Sequence, residues 1–198
     1  MIKIIYFDFG AVLVNYEKAF TKICADFNLD FHDFWKFYDK FDYDLSCGKI
    51  TSNEFWQKCI ENYHLQSPEN FELSRWWVVD YEIIKPINDL IYSLENKIDI
   101  GIISNICDGP WQAALKYGKV PDIKYKKIYL SYQEKMAKPD KDIYEKVQKE
   151  SGVLPNEILF VDDRAENLIV PEKLGWQTVL FDMHKAEDGV ARIKEILL

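Results

Sequence analysis

Polar side chains of the kinds that bind and transfer phosphate follow several predicted strands. In chain order they are Asp8, Ser104, Asn105, Lys138, Asp162 and Asp163. In an open parallel sheet the carboxyl ends of the strands lie at one edge, and ligands bind there. We therefore expect these hydroxyl, amide, ammonium and carboxylate groups to converge, as phosphoryl transfer requires.

Each side chain would have a chemical use in such a site. Asp8 would be the nucleophile, and Asp8 and Asp163 would bind Mg²⁺, a hard cation that prefers oxygen ligands. Ser104, the amides near it and Lys138 would hold the phosphate oxygens. The metal and Lys138 would offset the negative charge that gathers when a carboxylate approaches a phosphate ester.

Taken singly, these residues also fit ordinary structural uses. Asp8, Ser104 and the pair at 162–163 are suited to capping turns, and a single lysine before a helix is usually solvated. The combination of one hydroxyl, one amide, one cation and three carboxylates at strand ends or entry loops is what favours phosphoryl transfer.

Hydrophobic periodicity predicts the scaffold that would position these groups. Strands are predicted at 2–7, 98–104, 127–131, 157–162 and 176–181. Helices are predicted between and after them at 86–95, 108–117, 140–151, 165–174 and 187–197. Strands that alternate with helices indicate an α/β fold with a doubly wound parallel sheet.

A purely helical pattern separates the first strand from the rest of this α/β pattern. Helices are predicted at 16–27, at 30–41, from Thr51 or Ser52 with Glu54 completing a capping box, and from Ser67-Pro68-Glu69 to Trp77. We expect residues 1–15 and 82–198 to form the α/β core, and residues 16–81 to form a small helical bundle beside the carboxyl edge of the sheet. Its tryptophans are expected mainly to pack between helices.

Composition narrows the class of protein. The chain has 198 residues and a net charge of -8, with a pI near 5.0, which argues against nucleic acid as a main partner. The four cysteines show no CxxC spacing, so free thiols are expected instead of a zinc or redox site. We predict neither a membrane span nor a signal peptide, and a cytoplasmic location.

The chain resembles the haloacid dehalogenase superfamily along nearly its whole length. The matching motifs are FDFG at 7–10, SN at 104–105, KPD at 138–140 and VDDRAEN at 161–167. The resemblance implies a Rossmann-like core, a helical cap of the C1 type at 16–81, and a Mg²⁺-dependent phosphatase that forms an aspartyl-phosphate. Relatives with FDxG and such a cap include sugar-phosphate phosphatases.

The same resemblance assigns roles to individual residues. Asp8 and Lys138 would be catalytic, and Ser104, Asn105 and Lys138 would bind phosphate. The metal ligands would be Asp8, the backbone carbonyl of Gly10, Asp163 and, often through water, Asp162. The expected partner is a small phosphorylated metabolite, with no nucleic acid or membrane, and the chain would be a monomer or homodimer.

Gly10 departs from the commonest family motif, which has a second aspartate at this position. That aspartate protonates the leaving group and later activates water, and such a group typically contributes about 10²–10⁴-fold in rate. The backbone carbonyl of residue 10 remains available to a metal. The metal half of the site is therefore expected to be intact, and the proton-transfer half is in question.

Three outcomes are open at Gly10. The chain could hydrolyse phosphate esters with the proton supplied by the substrate, water or a cap residue, which is the outcome we favour. It could lack turnover and bind a phosphorylated ligand or a protein partner. It could instead attack carbon, as dehalogenases do with a halide cradle and no metal, although Asp162 and Asp163 argue against this. The first outcome predicts that Gly10→Asp raises turnover of esters with poor leaving groups.

Overall fold

The strands lie along the chain at regular intervals. The protein is described by a computed structural model that covers residues 1–66, 68 and 71–198. The strands are β1 (Ile4–Phe7), β2 (Val14–Asn15), β3 (Glu82–Ile83), β4 (Asp99–Ser104), β5 (Lys127–Leu130), β6 (Ile158–Asp162) and β7 (Gln177–Leu180). Five of them form a parallel sheet in the order β5-β4-β1-β6-β7.

Helices connect these strands. They are α1 (Glu17–Asp26), α2 (Phe31–Ser46), α3 (Ser52–Tyr63), α4 (Leu73–Val79), α5 (Lys85–Leu94), α6 (Pro110–Lys116), α7 (Ser131–Glu134), α8 (Lys141–Ser151), α9 (Ala165–Leu174) and α10 (Ala186–Leu197). The predicted α/β fold with a parallel sheet is confirmed. Among the strands and α-helices of the described residues, the short strands β2 and β3 and the single turn α7 were not predicted.

The central strand β1 is buried on both faces because helices cover both sides of the sheet. Ile5 and Phe7 belong to a core cluster that includes apolar residues of α5 and α10. Ile4 and Tyr6 point the other way and join a cluster with residues of α8 and α9. Successive residues of a strand face opposite sides, so a continuous apolar run is what this position requires.

Strand register brings the predicted site residues to one level. Phe7 pairs with Ile102 of β4 and with Val161 of β6. Asp8 and Asp162 are therefore adjacent positions on neighbouring strands, and Ser104 ends the strand on the other side of β1. This register places the three site residues at the carboxyl edge of the sheet, as the sequence pattern predicts.

A two-stranded antiparallel ribbon marks where the chain leaves and rejoins this scaffold. Val14 of β2 pairs with Ile83 of β3, and helices α1 to α4 lie between these strands. The predicted capping box is confirmed, because Thr51 and Glu54 each accept a hydrogen bond from the other's backbone N–H. The predicted helix start at Ser67 and Glu69 lies outside the described residues, but α4 begins only at Leu73, so the prediction that this helix includes Phe71 is wrong.

The helical segment α1–α4 contacts the α/β part at several points. The backbone N–H of Ser52 donates to Asp108 Oδ1 at 2.6 Å, and the Tyr43 hydroxyl donates to Asp140 Oδ2 at 3.0 Å. Helix α2 extends to Ser46, beyond its predicted end at residue 41, and this extension includes Tyr43. The division into core and cap remains a prediction.

The tryptophans of this segment divide into two groups. Trp56 and Trp76 pack on Phe27, with ring centroids 4.8 and 6.2 Å away, as expected of helix-packing residues. Trp35 and Trp77 also pack on neighbouring rings, but they line the cavity described below. All four cysteines are buried and free. Within the described ranges, no helix is long and apolar enough to cross a membrane.

Candidate active site

Asp8 is the first residue after β1, where a tight loop begins. Its backbone N–H donates to the carbonyl of Val161 at 2.9 Å, which holds it against β6. Its Oδ1 accepts from the backbone N–H of Phe9 at 2.7 Å, and the Ser104 hydroxyl hydrogen-bonds the same carboxylate. Only 8% of the residue is exposed, so the carboxylate is fixed in position and largely desolvated.

Lys138 bridges two of the predicted carboxylates. Its Nζ lies 3.1 Å from Asp8 Oδ1 and 2.5 Å from Asp162 Oδ2, and the side chain is almost completely buried. The carboxamide of Asn105 accepts from the Lys138 backbone N–H at 2.8 Å and donates to the Lys138 carbonyl at 2.7 Å. Asn105 therefore uses both ends of its carboxamide to position Lys138.

Asp162 is fully buried, and both of its oxygens are hydrogen-bonded. Oδ1 accepts from the Arg164 backbone N–H and from Asn167 Nδ2, each at 2.9 Å, while Oδ2 accepts from Lys138. Asp163 is less buried and lines the open cavity. The two adjacent acids therefore differ, since Asp162 anchors the hydrogen-bond network and Asp163 offers its carboxylate to a ligand.

The three carboxylates can share one cation. Asp8, Asp162 and Asp163 each offer an oxygen, and these oxygens lie within 4.8 Å of one another. A cluster of carboxylates is the donor set that Mg²⁺ prefers. Because Asp162 already accepts three hydrogen bonds, the donor set also fits its predicted contact through water. The role of the Gly10 carbonyl stays a prediction.

The electrostatics of the cluster favour a cation. Burial raises the pKa of Asp8 to about 6, with Lys138 opposing this rise and Asp162 adding to it. Burial raises the pKa of Asp163 to about 7, and the charges of Asp8 and Asp162 add to the rise. Burial acts to lower the pKa of Lys138, but Asp162 and Asp8 outweigh it and raise that pKa. One lysine therefore does not neutralise the site.

These shifts predict how the stability of the metal-free protein depends on pH. In the folded chain the pKa values of Asp8 and Asp163 lie above their ordinary value near 3.8, so both carboxyl groups bind protons more tightly in the folded than in the unfolded state. Their contribution to the free energy of unfolding is thus fully present below about pH 4 and is lost as the pH rises through about 6 to 7. For Asp8 the loss is on the order of 2–3 kcal/mol. Thermal denaturation in EDTA at pH 5.5 and 7.5 should show it.

Magnesium is expected to reverse this trend, because a metal competes with protons for the same carboxylates. With saturating Mg²⁺ the Tm at pH 7.5 should rise more than the Tm at pH 5.5. The variant Asp163→Asn is the control, since it removes one titrating group and one metal ligand. An identical pH slope in Asp163→Asn and in the parent protein would contradict the assignment.

The ring of Tyr16 lies close to the place where a side chain at residue 10 would project. A Cβ at residue 10 would lie 3.1 Å from Tyr16 Cε1 and 3.3 Å from Cδ1, which is tighter than usual packing. Burial raises the pKa of Tyr16 to about 12, and the nearby carboxylates of Asp163 and Asp8 add to the shift. The phenol therefore keeps its proton at neutral pH. The sequence carried no signal for this contact.

A cavity of about 470 Å³ opens above the carboxylates. Its lining includes the predicted residues Asp8, Ser104, Lys138 and Asp163. It also includes rings and charged groups that sequence reasoning did not single out as site residues. They are Tyr16, Phe20, Tyr38, Asp39, Asp42, Tyr81 and Arg164, together with the packing residues Trp35 and Trp77. The cavity thus combines the ionic site residues with a larger, mixed set of rings and charged groups.

The haloacid dehalogenase-like hydrolase family matches residues 5–181 of the chain. The chain belongs to this family of hydrolases. A D-ribitol-5-phosphate phosphatase from Bacteroides thetaiotaomicron is 30% identical, over 90% of this chain and 91% of the relative.

Solved structures of other family members have the same fold. A haloacid dehalogenase family enzyme from Bacteroides thetaiotaomicron, in complex with magnesium and inorganic phosphate, superposes with a TM-score of 0.76 at 27% identity and covers 93% of this chain and 96% of its own. A predicted family hydrolase from Porphyromonas gingivalis has a TM-score of 0.78 at 24% identity, covering 100% and 98%. The magnesium in the Bacteroides thetaiotaomicron enzyme agrees with the carboxylate oxygens that Asp8, Asp162 and Asp163 offer in this chain.

Proposed function

We propose that this protein is a Mg²⁺-dependent phosphatase that hydrolyses a small phosphate monoester through an aspartyl-phosphate on Asp8. The observation that carries the proposal is one arrangement at the floor of the cavity. A buried carboxylate, a buried ammonium 3.1 Å away and the carboxylate of Asp163 line one open space, and an oxygen of the buried Asp162 lies within 4.8 Å of the other two carboxylates. Nucleophile, phosphate-binding cation and metal ligands are thus available within one site.

In the proposed reaction an oxygen of Asp8 attacks phosphorus, and the bond from phosphorus to the ester oxygen breaks. The leaving alcohol takes up a proton, and water later hydrolyses the aspartyl-phosphate to release inorganic phosphate and regenerate Asp8. Lys138 and Ser104 bind the phosphate oxygens and hold them in line with Asp8. When bound, Mg²⁺ would supply positive charge that offsets the charge of nucleophile and phosphate.

The proton for the leaving alcohol does not come from residue 10, which is glycine. Among the residues around it, Tyr16 keeps a protonated hydroxyl and lines the same cavity. The substrate's own hydroxyls and water are the other sources. We propose that hydrolysis proceeds with one of these groups, so that esters with good leaving groups react fastest.

We further propose a small sugar or polyol phosphate as the substrate and the segment 16–81 as the cap that selects it. The relative that acts on D-ribitol 5-phosphate supports this class. The cavity volume of about 470 Å³ supports a ligand of that size. Helices α1, α2 and α4 contribute much of the cavity lining, which supports a selecting role for this segment.

The proposal is tested by assaying phosphate release with and without Mg²⁺. The substrates would be p-nitrophenyl phosphate and a panel of sugar, polyol and amino-alcohol phosphates. We expect turnover that EDTA abolishes and Mg²⁺ restores. Magnesium binding by calorimetry without turnover of any substrate would contradict the proposal, and would favour a protein that only binds phosphorylated ligands.

Gly10→Asp is expected to raise turnover of alkyl phosphates relative to p-nitrophenyl phosphate. The new carboxyl group could protonate a poor leaving group, which a nitrophenolate does not need. We expect a gain in this ratio of up to about 10²-fold, limited by crowding against Tyr16. Steady-state kinetics with both ester classes measure the ratio.

Gly10→Ala is the matched control because it adds the crowding Cβ without the acid. It should lower the Tm and leave the ratio of alkyl to aryl turnover unchanged. An equal fall of both turnovers in Gly10→Asp and Gly10→Ala would mean that glycine is needed for room, with no acid missing at this position.

A further inference from the structure

One face of helix α2 (Phe31–Ser46) forms part of the cavity lining. Trp35, Tyr38, Asp39 and Asp42 all line the cavity, and their spacing of three, four and seven residues places them on one side of the helix. Two of these residues are carboxylates, of which Asp39 is exposed and Asp42 is half-buried. A carboxylate turned towards a partly enclosed space is costly unless it has partners.

Asp42 has interaction partners within the protein, and its carboxylate can still accept a hydrogen bond from a ligand. The Tyr38 hydroxyl, one turn earlier on the helix, donates a hydrogen bond to it. Arg164 lines the same cavity, and its charge stabilises the Asp42 carboxylate. The guanidinium of Arg164 is itself held by Glu166, with Nη2 2.7 Å from Oε1. An exposed donor and a half-buried acceptor therefore both line this cavity.

We propose that Asp42, held by Tyr38 and lining the same cavity as Arg164, binds hydroxyl groups of the substrate and selects polyhydroxylated phosphate esters. This inference rests on the proposed phosphatase function and names the part of the site that sets specificity. A hydroxyl group both donates and accepts, so it satisfies the carboxylate and the guanidinium together. The rings of Trp35 and Trp77 offer apolar surface for the carbon chain.

Two other kinds of substrate fit this cavity lining less well. An apolar chain would bury Asp42 and Arg164 without giving them hydrogen bonds, and sites built for hydroxyl groups reject such analogues strongly. A cationic group would be attracted by Asp42 and Asp39 but repelled by Arg164. The presence of both charges in the cavity lining therefore favours a neutral, hydroxyl-rich tail.

The experiment compares D-ribitol 5-phosphate with pentyl phosphate, phosphoethanolamine and p-nitrophenyl phosphate. The wild-type kcat/KM should be highest for D-ribitol 5-phosphate among the three alkyl esters. Asp42→Ala should lower its kcat/KM by about 10- to 100-fold, chiefly through KM, because a charged hydrogen-bond acceptor is lost. The kcat/KM for pentyl phosphate should fall by a much smaller factor, so the selectivity ratio collapses.

Three further variants make the result specific to Asp42. Asp42→Asn keeps the side-chain size and should retain part of the selectivity, and Tyr38→Phe should lose a smaller part. Asp44→Ala is the matched control, since Asp44 lies on the same helix but pairs with Lys49 at 3.0 Å outside the cavity. It should leave every kcat/KM unchanged.

Equal losses on all substrates in Asp42→Ala would overturn the inference, as would a wild-type preference for pentyl phosphate or phosphoethanolamine. In those cases p-nitrophenyl phosphate is still hydrolysed, so the phosphatase proposal survives. Failure to hydrolyse p-nitrophenyl phosphate or any other ester would overturn the phosphatase proposal and this inference with it.

Discussion

Asp8→Asn is expected to abolish phosphate release while leaving the fold intact. An amide oxygen in place of the carboxylate is a poor nucleophile and a weaker metal ligand, so turnover should fall by on the order of 10⁴-fold or more. Lys138 keeps its 2.5 Å contact with Asp162, so the buried ammonium is not left unpaired. Steady-state release of phosphate from p-nitrophenyl phosphate with Mg²⁺ measures the loss.

The Tm of this variant is expected to equal or exceed that of the parent in EDTA at pH 7.5. Burial and the charge of Asp162 both disfavour the charged form of Asp8, and the neutral amide removes these costs. Asp99→Asn is the matched control, because Asp99 starts β4 at the opposite edge of the sheet and is half-exposed beside Lys126. Residual activity in Asp8→Asn near that of Asp99→Asn would rule out Asp8 as the nucleophile.

The ionic part of the site could be predicted because its positions are tied to strand register. An apolar run fixes where β1 ends, and Asp8 is the next residue on the chain. The same holds for Ser104 at the end of β4 and Asp162 at the end of β6. In a parallel sheet these ends share one edge whatever the helices do, so periodicity alone brings the groups together.

The contacts of these groups could not be predicted in the same way. Asn105 is predicted to bind phosphate with Ser104 and Lys138, and in the structure both ends of its carboxamide hold the backbone of Lys138. The carboxamide can pair with a backbone segment as well as with a ligand, and residue type does not distinguish the two. The direct role of Asn105 at the phosphate remains a prediction.

The rest of the cavity lining depends largely on how the helices α1–α4 pack, and a sequence pattern does not determine that packing. Tyr16 lies in the loop before α1, and only the folded chain places its ring beside Gly10. Asp42 lies one residue past the predicted end of α2, so its helical face was not recognised. Arg164 stood in a recognised motif, but no rule of spacing linked it to a helix more than a hundred residues earlier.

Lys138→Met is expected to lower both stability and activity. Methionine matches the length of lysine but leaves the carboxylates of Asp8 and Asp162 buried side by side without a cation. Breaking a buried ion pair in this way typically costs about 3–5 kcal/mol of unfolding free energy. Turnover should fall by about 10²–10³-fold, because a charged group that holds the phosphate is lost. Urea denaturation in EDTA and steady-state kinetics measure the two effects.

The pH dependence separates this electrostatic cause from lost packing. Without Lys138 the pKa of Asp8 rises further above its ordinary value, since Lys138 is the group that opposes the rise. The stability of the variant should therefore fall more steeply than that of the parent between about pH 5 and 7. Lys141→Met is the control, because Lys141 is exposed and pairs with Glu145 at 2.6 Å on a helix surface. It should change stability by about 0.5 kcal/mol or less.

A double variant tests whether Lys138 stabilises the fold by its charge. Adding Asp162→Asn to Lys138→Met removes the carboxylate that the missing ammonium leaves unpaired. The double variant should thus be more stable than Lys138→Met at pH 7.5, although it has lost one more ionic group. Because Asn167 and the Arg164 backbone N–H donate to Oδ1 of Asp162, the asparagine oxygen can still accept both bonds. Equal stability of the single and double variants would mean that Lys138 stabilises the fold by packing and not by its charge.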